Sequence, residues 1–435
     1  MKITSRHKFN TSLLAIILSS SSLLANAGPA SKDGKCCGAL EESLRRLESK
    51  AVMSDTKKIL ISGQVNRSML WLDNGNKSNM SHVDNFNSES RLNITGKANL
   101  NDDTIFGGVF ELGFRSNTSD ENDVKNSQSN ATASKELIIR HADLFIDSVK
   151  FGKLSMGRGD MASNHTMEET DLSGTSVVAN GSSVWAMASG ASFYEKTSGT
   201  NRSYFVQAED DTTFEGAFGS TDGLDRHDRV RYDTPKYYGV QLSTSHAHQG
   251  SGNLFDVAAR FAGKFSGVKV AATAAFTRNE SLNADTFADR YNHKQYSASL
   301  GVLLPFSMSR KEDTGISLMV SGLKRDWDAR GQKNGSFYHG KIGYTDRYFS
   351  IGNTSVAVDL AQGKNTTRSL DSTNTFVDNN IQTKAKSWGV FLVQNVDVVA
   401  SDLYAGYRRY SVKKSNSTLR FNDIHAVMAG ARVKL

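Results

Sequence analysis

Beyond Ala27 the chain never offers the ~20 consecutive apolar residues that a membrane-spanning helix requires. A helical route across a bilayer is therefore excluded for the mature protein. Cysteine is almost missing, and its two copies, Cys36 and Cys37, are adjacent. That arrangement spells neither a metal site nor a disulfide framework, and leaves open interchain disulfides as well as free or locally bridged thiols. The 10 histidines lack metal-ligand spacing, and no glycine-rich phosphate loop follows a strand and opens a helix. No metal, cofactor or catalytic constellation is nominated, so the sequence does not read as an enzyme. Proline occurs only 3 times against 36 glycines, and mean hydropathy is −0.43. Such a composition suits a soluble exported protein or a barrel with one face in lipid and one in water.

The N-terminus decides for export. Lys2, Arg6 and Lys8 precede the apolar run Leu13 to Leu18, then Leu23, Leu24 and Ala25-Asn26-Ala27. This is the pattern of a signal peptide spanning 1–27. Removing its three basic residues lowers the formal charge from +7 to +4, too mild to argue for nucleic acid. Residues 28–56 read as a periplasmic linker. Within it, Leu40, Leu44 and Leu47 recur at i, i+4 and i+7, which predicts a short amphipathic helix from Gly38 to Ala51. A helix so short is marginal alone, and either a bundle of identical copies or the chain's own barrel would support it.

From Lys57 the period becomes two. Ile59, Ile61, Gly63 and Val65 alternate with Ser62, Gln64 and Asn66; Leu92, Ile94 and Gly96 alternate with Arg91, Asn93, Thr95 and Lys97. Each stretch is a strand with one apolar and one polar face. The same pattern predicts about sixteen strands: 58–72, 89–101, 104–116, 136–148, 151–158, 227–235, 237–247, 253–264, 267–278, 293–305, 314–325, 335–345, 347–361, 385–398, 402–412 and 423–435. An even number of half-polar strands, joined alternately by tight turns and long Asn/Ser/Asp-rich segments, is the signature of an all-β transmembrane antiparallel barrel occupying 57–435. The last strand supports closure, because Val427, Ala429, Ala431, Val433 and Leu435 alternate with Met428, Gly430, Arg432 and Lys434 to the very end. Such a strand needs a neighbour on each edge. Trp71, Phe114, Tyr296, Trp388, Tyr404 and Tyr410 lie near strand ends and are expected in interfacial girdles. The segment 160–225 is far longer than a turn, and is the expected place for whatever narrows the lumen.

Several motifs resemble the general diffusion porins of Gram-negative outer membranes. Arg140-His141-Ala142-Asp143-Leu144, followed by Phe151-Gly152-Lys153-Leu154 and Gly157-Arg158, is similar to the stretch leading into that family's third loop. Ser90-Arg91-Leu92-Asn93-Ile94-Thr95-Gly96 resembles its second strand, and Arg231-Tyr232-Asp233-Thr234-Pro235 its strand and turn after the loop. Cys36-Cys37-Gly38 and Asp171-Leu172-Ser173-Gly174-Thr175 resemble the alphaproteobacterial branch. The final strand is similar to the signal read by barrel-assembly machinery, although it ends in Leu435 where an aromatic residue is usual.

The resemblance implies a homotrimer in outer-membrane lipid and lipopolysaccharide, each barrel carrying an inward-folded third loop. Acidic loop residues would face an arginine cluster, and small hydrophilic solutes and ions would pass passively. Arg91 has the water-facing parity of Asn93 and Thr95 and matches a cluster position. Arg140 matches a second, but shares its side with Ala142, Leu144 and Ile146. Either a bulge resets the face there or the strand lies at a subunit contact. Arg229 and Arg231, opposite Val230 and Tyr232, are expected to complete the basic wall. Asp171 matches the acidic position, with Glu168 and Glu169 beside it. Two other readings stay open: a solute-selective channel, if the long loop nearly closes the lumen, and a structural or surface-interaction barrel.

Overall fold

The computed structural model describes residues 57–122, 136–194, 196, 217–218, 223–249, 252–281, 292–306, 313–328, 333–365, 383–415 and 420–435. The expected signal segment, Cys36, Cys37 and the expected Gly38 to Ala51 helix lie outside them. The described chain is nearly all strand: β1 (Lys57–Asp73), β2 (Ser78–Asp84), β3 (Arg91–Asn101), β4 (Thr104–Arg115), β5 (Glu136–Ser148), β6 (Gly152–Asp160), β7 (Arg226–Asp233), β8 (Val240–Gln249), β9 (Gly252–Phe265), β10 (Val268–Ser281), β11 (His293–Pro305), β12 (Gly315–Trp327), β13 (Gly335–Phe349), β14 (Gly352–Lys364), β15 (Thr383–Val396), β16 (Ser401–Lys414) and β17 (Ile424–Lys434).

All neighbours are antiparallel, and β1 to β17 closes the ring, with Val65 opposite Val433 and Trp71 opposite Val427. The other edge of β1 is shared. β3 covers Lys57 to Gln64, and the short β2 covers Arg67 to Asp73. The wall is thus a closed barrel of sixteen strands, to which β2 adds a hairpin arm that lengthens one sector. Alternation failed to announce β2 because Ser78 to Asp84 is polar on both faces except for Met80 and Val83.

Side chains follow the two-residue period. On β1, Ile59, Ile61, Val65 and Met69 are exposed on the outer face while Gln64, Asn66 and Ser68 are buried inside. Leu318, Val320, Ile342, Val356, Val358, Val390 and Leu392 continue the outward apolar band around the barrel. Tight turns cluster at the end that holds Lys57 and Leu435. The Ser266-Gly267 turn has φ of +48° and +88°, the two left-handed residues that a twisted two-residue hairpin demands. Of the aromatics expected in girdles, Phe114, Tyr296 and Trp388 are exposed outward, but Tyr404 and Tyr410 point inward and are buried. Their hydroxyls find inside partners, Asn66 Oδ1 at 2.5 Å and the Val184 carbonyl at 2.8 Å.

The connection after β6 folds into the lumen over Met161 to Tyr194. Most residues from Met161 to Tyr194 are buried. The wall has been cut to receive it: at Gly301 a Cβ would overlap the Thr170 carbonyl, and at Gly343 it would press on Ser173. Thr273 donates to the Thr166 carbonyl at 2.5 Å, and Asp256 accepts from the Ser163 amide at 2.7 Å and hydroxyl at 2.6 Å.

Candidate functional site: a charged passage beside the inner loop

The loop does not sit centrally. Against β12–β17 and the upper half of β1 it packs dry: Val177, Val178, Val184, Met187 and Phe193 share one apolar cluster with Leu70, Phe337, Phe391, Tyr410, Ile424 and Met428. Charges on this side are paired and buried. Lys341 Nζ lies 2.7 Å from Asp171 Oδ2 and donates to the Ala179 carbonyl at 2.8 Å, with both side chains at most 1% exposed. Next to it, Asp359 accepts from Arg408 Nη2 at 2.6 Å and lies 3.1 Å from His339 Nε2, while Arg408 stacks over Phe391.

Against β3–β7 the loop leaves a cavity of about 560 Å³. Arginines 91, 115, 140, 226 and 432 line it, with carboxylates Glu89, Glu111, Asp160, Glu168 and Asp225. The carboxylates are engaged. Glu89 takes Arg115 at 2.5 Å and also Arg140; Glu111 takes Arg140 Nε at 2.6 Å; Asp160 takes Arg226 Nε at 2.9 Å. Arg432 is held by Asp402 at 2.5 Å. Arg91 makes no ion pair or hydrogen bond through its guanidinium among the described residues. It is half-buried and faces the cavity.

Arg140 reaches this wall through a bulge. The β4–β5 register shifts between Glu111 and Leu112, whose partners are His141 and Ile139, so Arg140 is the extra residue. The bulge turns its side chain to the lumen although Ala142 and Leu144 share its nominal parity.

At the loop root His165 holds φ of +62° and sits between two carboxylates, Glu168 Oε2 at 2.9 Å and Asp160 Oδ1 at 3.4 Å. Burial opposes the charged imidazole, but the hydrogen bonds it donates to Asp160 and Glu168 outweigh it and hold its pKa well above the usual histidine value. Burial likewise opposes ionised Glu168, and His165, aided by Ser182, outweighs it to bring the pKa down to about 2.

Arg91, Arg140 and Glu168 therefore line one cavity. The other four expected residues do not. Arg229 is buried in a bidentate pair with Asp143, at 2.9 and 2.8 Å. Arg231 pairs with Asp233 at 2.8 Å and donates to the Met161 carbonyl at 3.0 Å, which ties down the loop root. Glu169 pairs with Arg260 at 2.8 Å, and Asp171 is the buried partner of Lys341. Sequence reasoning passed over Glu89, Glu111, Asp160, Arg226 and Arg432 as cavity residues. Strand parity held a signal for Glu111 and Arg432, both on polar faces. Glu89 and Arg226 sit where alternation begins or ends, and carried none.

With this geometry in place, comparison with known proteins is direct. Residues 14–434 match the profile of the Gram-negative porin family. The chain belongs to that family. This porin has no match among curated proteins. Its fold resembles the anion-selective porin from Comamonas acidovorans, with TM-score 0.53 and 13% identity over 87% of this chain and 100% of that one. OmpF of Salmonella typhi in complex with daunomycin gives 0.52 and 13% over 88% and 100%. The trimer form of OmpT from Vibrio cholerae gives 0.50 and 11% over 88% and 100%. Family and fold are those of an outer-membrane diffusion channel rather than an enzyme.

Proposed function

We propose that this porin carries small hydrophilic solutes and ions through the eccentric passage between β3–β7 and the inner loop, with Arg91, Arg140 and Glu168 at its narrowest part. The observation that carries this reading is the cavity of about 560 Å³ lined by charge of both signs, in which Arg91 alone among the arginines has no partner among the described residues. A cation without an ion-pair partner in a narrow, water-filled passage with low-dielectric walls raises the local concentration of anions. Every carboxylate there already has a cationic partner, so anions pass more readily than cations.

The working form is a homotrimer in outer-membrane lipid and lipopolysaccharide, exported by the 1–27 signal peptide and inserted by barrel-assembly machinery that reads the final strand. A solute-selective channel is the second reading. It is favoured by the apolar packing of the loop on β12–β17, which fills that side of the lumen.

Single-channel recording of the unboiled protein in a planar bilayer under a salt gradient separates the two. Stepwise openings, often in threes, with a reversal potential on the anion side are expected. Silence from correctly folded protein would end the general diffusion reading; uptake of one solute by proteoliposomes of that same silent protein would move the assignment to the selective channel, and no uptake of any solute would end both.

A further inference from the structure

The segment that follows β4 carries a feature that transit does not use. Thr118 to Glu121 form a turn, closed by the Glu121 amide on the Thr118 carbonyl at 3.3 Å. Just beyond it, Asn122 donates through Nδ2 to the Thr118 carbonyl at 2.8 Å and to Asn117 Oδ1 at 3.1 Å. Both amide hydrogens are spent on oxygens, which fixes the orientation of the side chain and leaves Oδ1 facing elsewhere. That oxygen is sealed from water and accepts nothing, and the same holds for Thr118 Oγ1 and Asp120 Oδ1. Thr118 is 1% exposed and Asn122 is fully buried. Buried polar atoms are nearly always partnered, and each orphan costs stability. Nowhere else among the described residues do three such oxygens fall within five residues.

The three share a chemistry. A hydroxyl, a carboxylate and an amide oxygen stand at alternate positions of one turn, which is how cation-binding loops bring oxygens onto one centre. No cationic side chain pairs with Asp120 among the described residues; Arg115, which weighs on it from a distance, is taken by Glu89 at 2.5 Å and lies over the Phe86 ring. Burial pushes the Asp120 carboxyl up to about 7, against the pull of Thr118 and Arg115, and the neighbouring Glu121 adds to the push. A desolvated carboxylate beside a second one is a poor anion until a cation joins them. The donors also select the cation. No three His, Cys, Asp or Glu side chains converge among the described residues, which disfavours a transition metal. Uncharged hydroxyl and amide oxygens in a flexible turn suit Ca²⁺, whereas Mg²⁺ demands a stricter octahedron and gives up its waters reluctantly.

The turn also touches two other parts of the molecule. The Ser119 amide donates to the Asp84 carbonyl at 2.9 Å, and its hydroxyl to the Ala186 carbonyl of the inner loop at 2.8 Å. At Gly190 a Cβ would overlap the Asn122 carbonyl, so the loop lies directly on the turn. We propose that Thr118, Asp120 and Asn122 bind one Ca²⁺ ion, with water and backbone carbonyls completing its shell, and that the ion clamps the turn against the inner loop. The site is separate from the passage, and neither reading requires the other. With so few charged ligands its affinity belongs to the weak range of extracellular Ca²⁺ modules, about 0.1–1 mM.

The test uses the purified, folded full-length protein stripped with EDTA, and Tb³⁺ as a luminescent stand-in for Ca²⁺ excited through tryptophan. Trp185 adjoins the loop carbonyl that Ser119 holds, which places it to sensitise the ion. The wild type is expected to give saturable Tb³⁺ emission, displaced by Ca²⁺ with a midpoint of about 0.1–1 mM and by Mg²⁺ only at roughly tenfold higher concentration. Trp185→Phe loses most of the emission while calorimetry still records Ca²⁺ binding; undiminished emission would place the ion elsewhere and overturn the site. Tm carries a sign test on Asp120→Asn. In EDTA the variant melts at or above the wild type, because the desolvated charge is gone, and in saturating Ca²⁺ it melts below, because only the wild type gains from the ligand. Thr118→Val keeps the shape without the oxygen and should weaken Ca²⁺ about tenfold, the worth of one oxygen contact to a charge. It carries the test alone should Asp120→Asn not fold. A wild-type Tm indifferent to Ca²⁺, or Ca²⁺ affinity in Thr118→Val or Asp120→Asn equal to the wild type, overturns the site.

Discussion

The two sides of the inner loop meet barrel walls of similar strand geometry and opposite chemistry. Toward β12–β17 the loop is welded: apolar side chains interdigitate, and the Lys341–Asp171 pair is sealed from water. Toward β3–β7 it stands off, and charged groups of both signs line the gap. The difference shows how a long segment can narrow a lumen without closing it. Burial on one side fixes its position, and partnered charge on the other keeps the gap wet.

The welded side gives the largest effect. Asp171→Asn leaves Lys341 buried without a counter-charge, a loss of about 3–5 kcal/mol. Urea unfolding of the barrel should record that loss, and conductance should become noisy as the loop detaches. Unchanged stability would show that the contact is not what holds the loop.

On the wet side the signature is inverted. Arg91→Glu changes the local charge by two units; at roughly 8 Å in a water-like dielectric that costs a passing anion about 1 kcal/mol and favours a cation by about as much, so the anion-to-cation permeability ratio falls about thirtyfold. The reversal potential should move toward cations with no change in the unfolding midpoint. A stability loss without a selectivity change would place Arg91 with the welded side instead.

The smallest effect belongs to the root, where the two sides join. Glu168, with its pKa lowered to about 2, contributes stability above the ordinary carboxylate range, and this is lost only as pH falls toward 2. His165, with its pKa raised, contributes fully below about 6.5 and loses its share as pH rises through its elevated value. A plateau near pH 5 to 6.5 with a decline on the alkaline side is expected. His165→Gln should abolish the decline at a cost under about 1 kcal/mol, since the pair is partly open to solvent. Thermal melting across pH checks it, and an unchanged alkaline limb in the variant would sink this role.

Much of this was legible in the chain, and for a physical reason. A wall with lipid outside and water or loop inside imposes a period of two on every strand, so the sixteen wall strands could be read from alternation alone. β2 escaped because a hairpin arm with polar groups on both faces has no such constraint. Arg140 was legible as a conflict, a family match against the wrong parity, and the bulge at Glu111/Leu112 resolves it. The split of the loop was not legible. Asp171 and Glu168 are three residues apart in one acidic run, yet one is sealed against β13 and the other lines the cavity. Only the three-dimensional path of the loop separates them.

The pairing of β1 with β17 has a consequence for timing. Gln64 meets Lys434 across that seam, so the contact that completes the wall joins residues separated by nearly the whole chain. Loop closure over such a separation makes it among the slowest contacts to form. Until the final strand has been synthesised and delivered, every partial wall keeps two bare edges, each able to pair with another chain. The protein therefore has no safe half-built state, and the eleven residues of β17 act as a release condition on all that precede them.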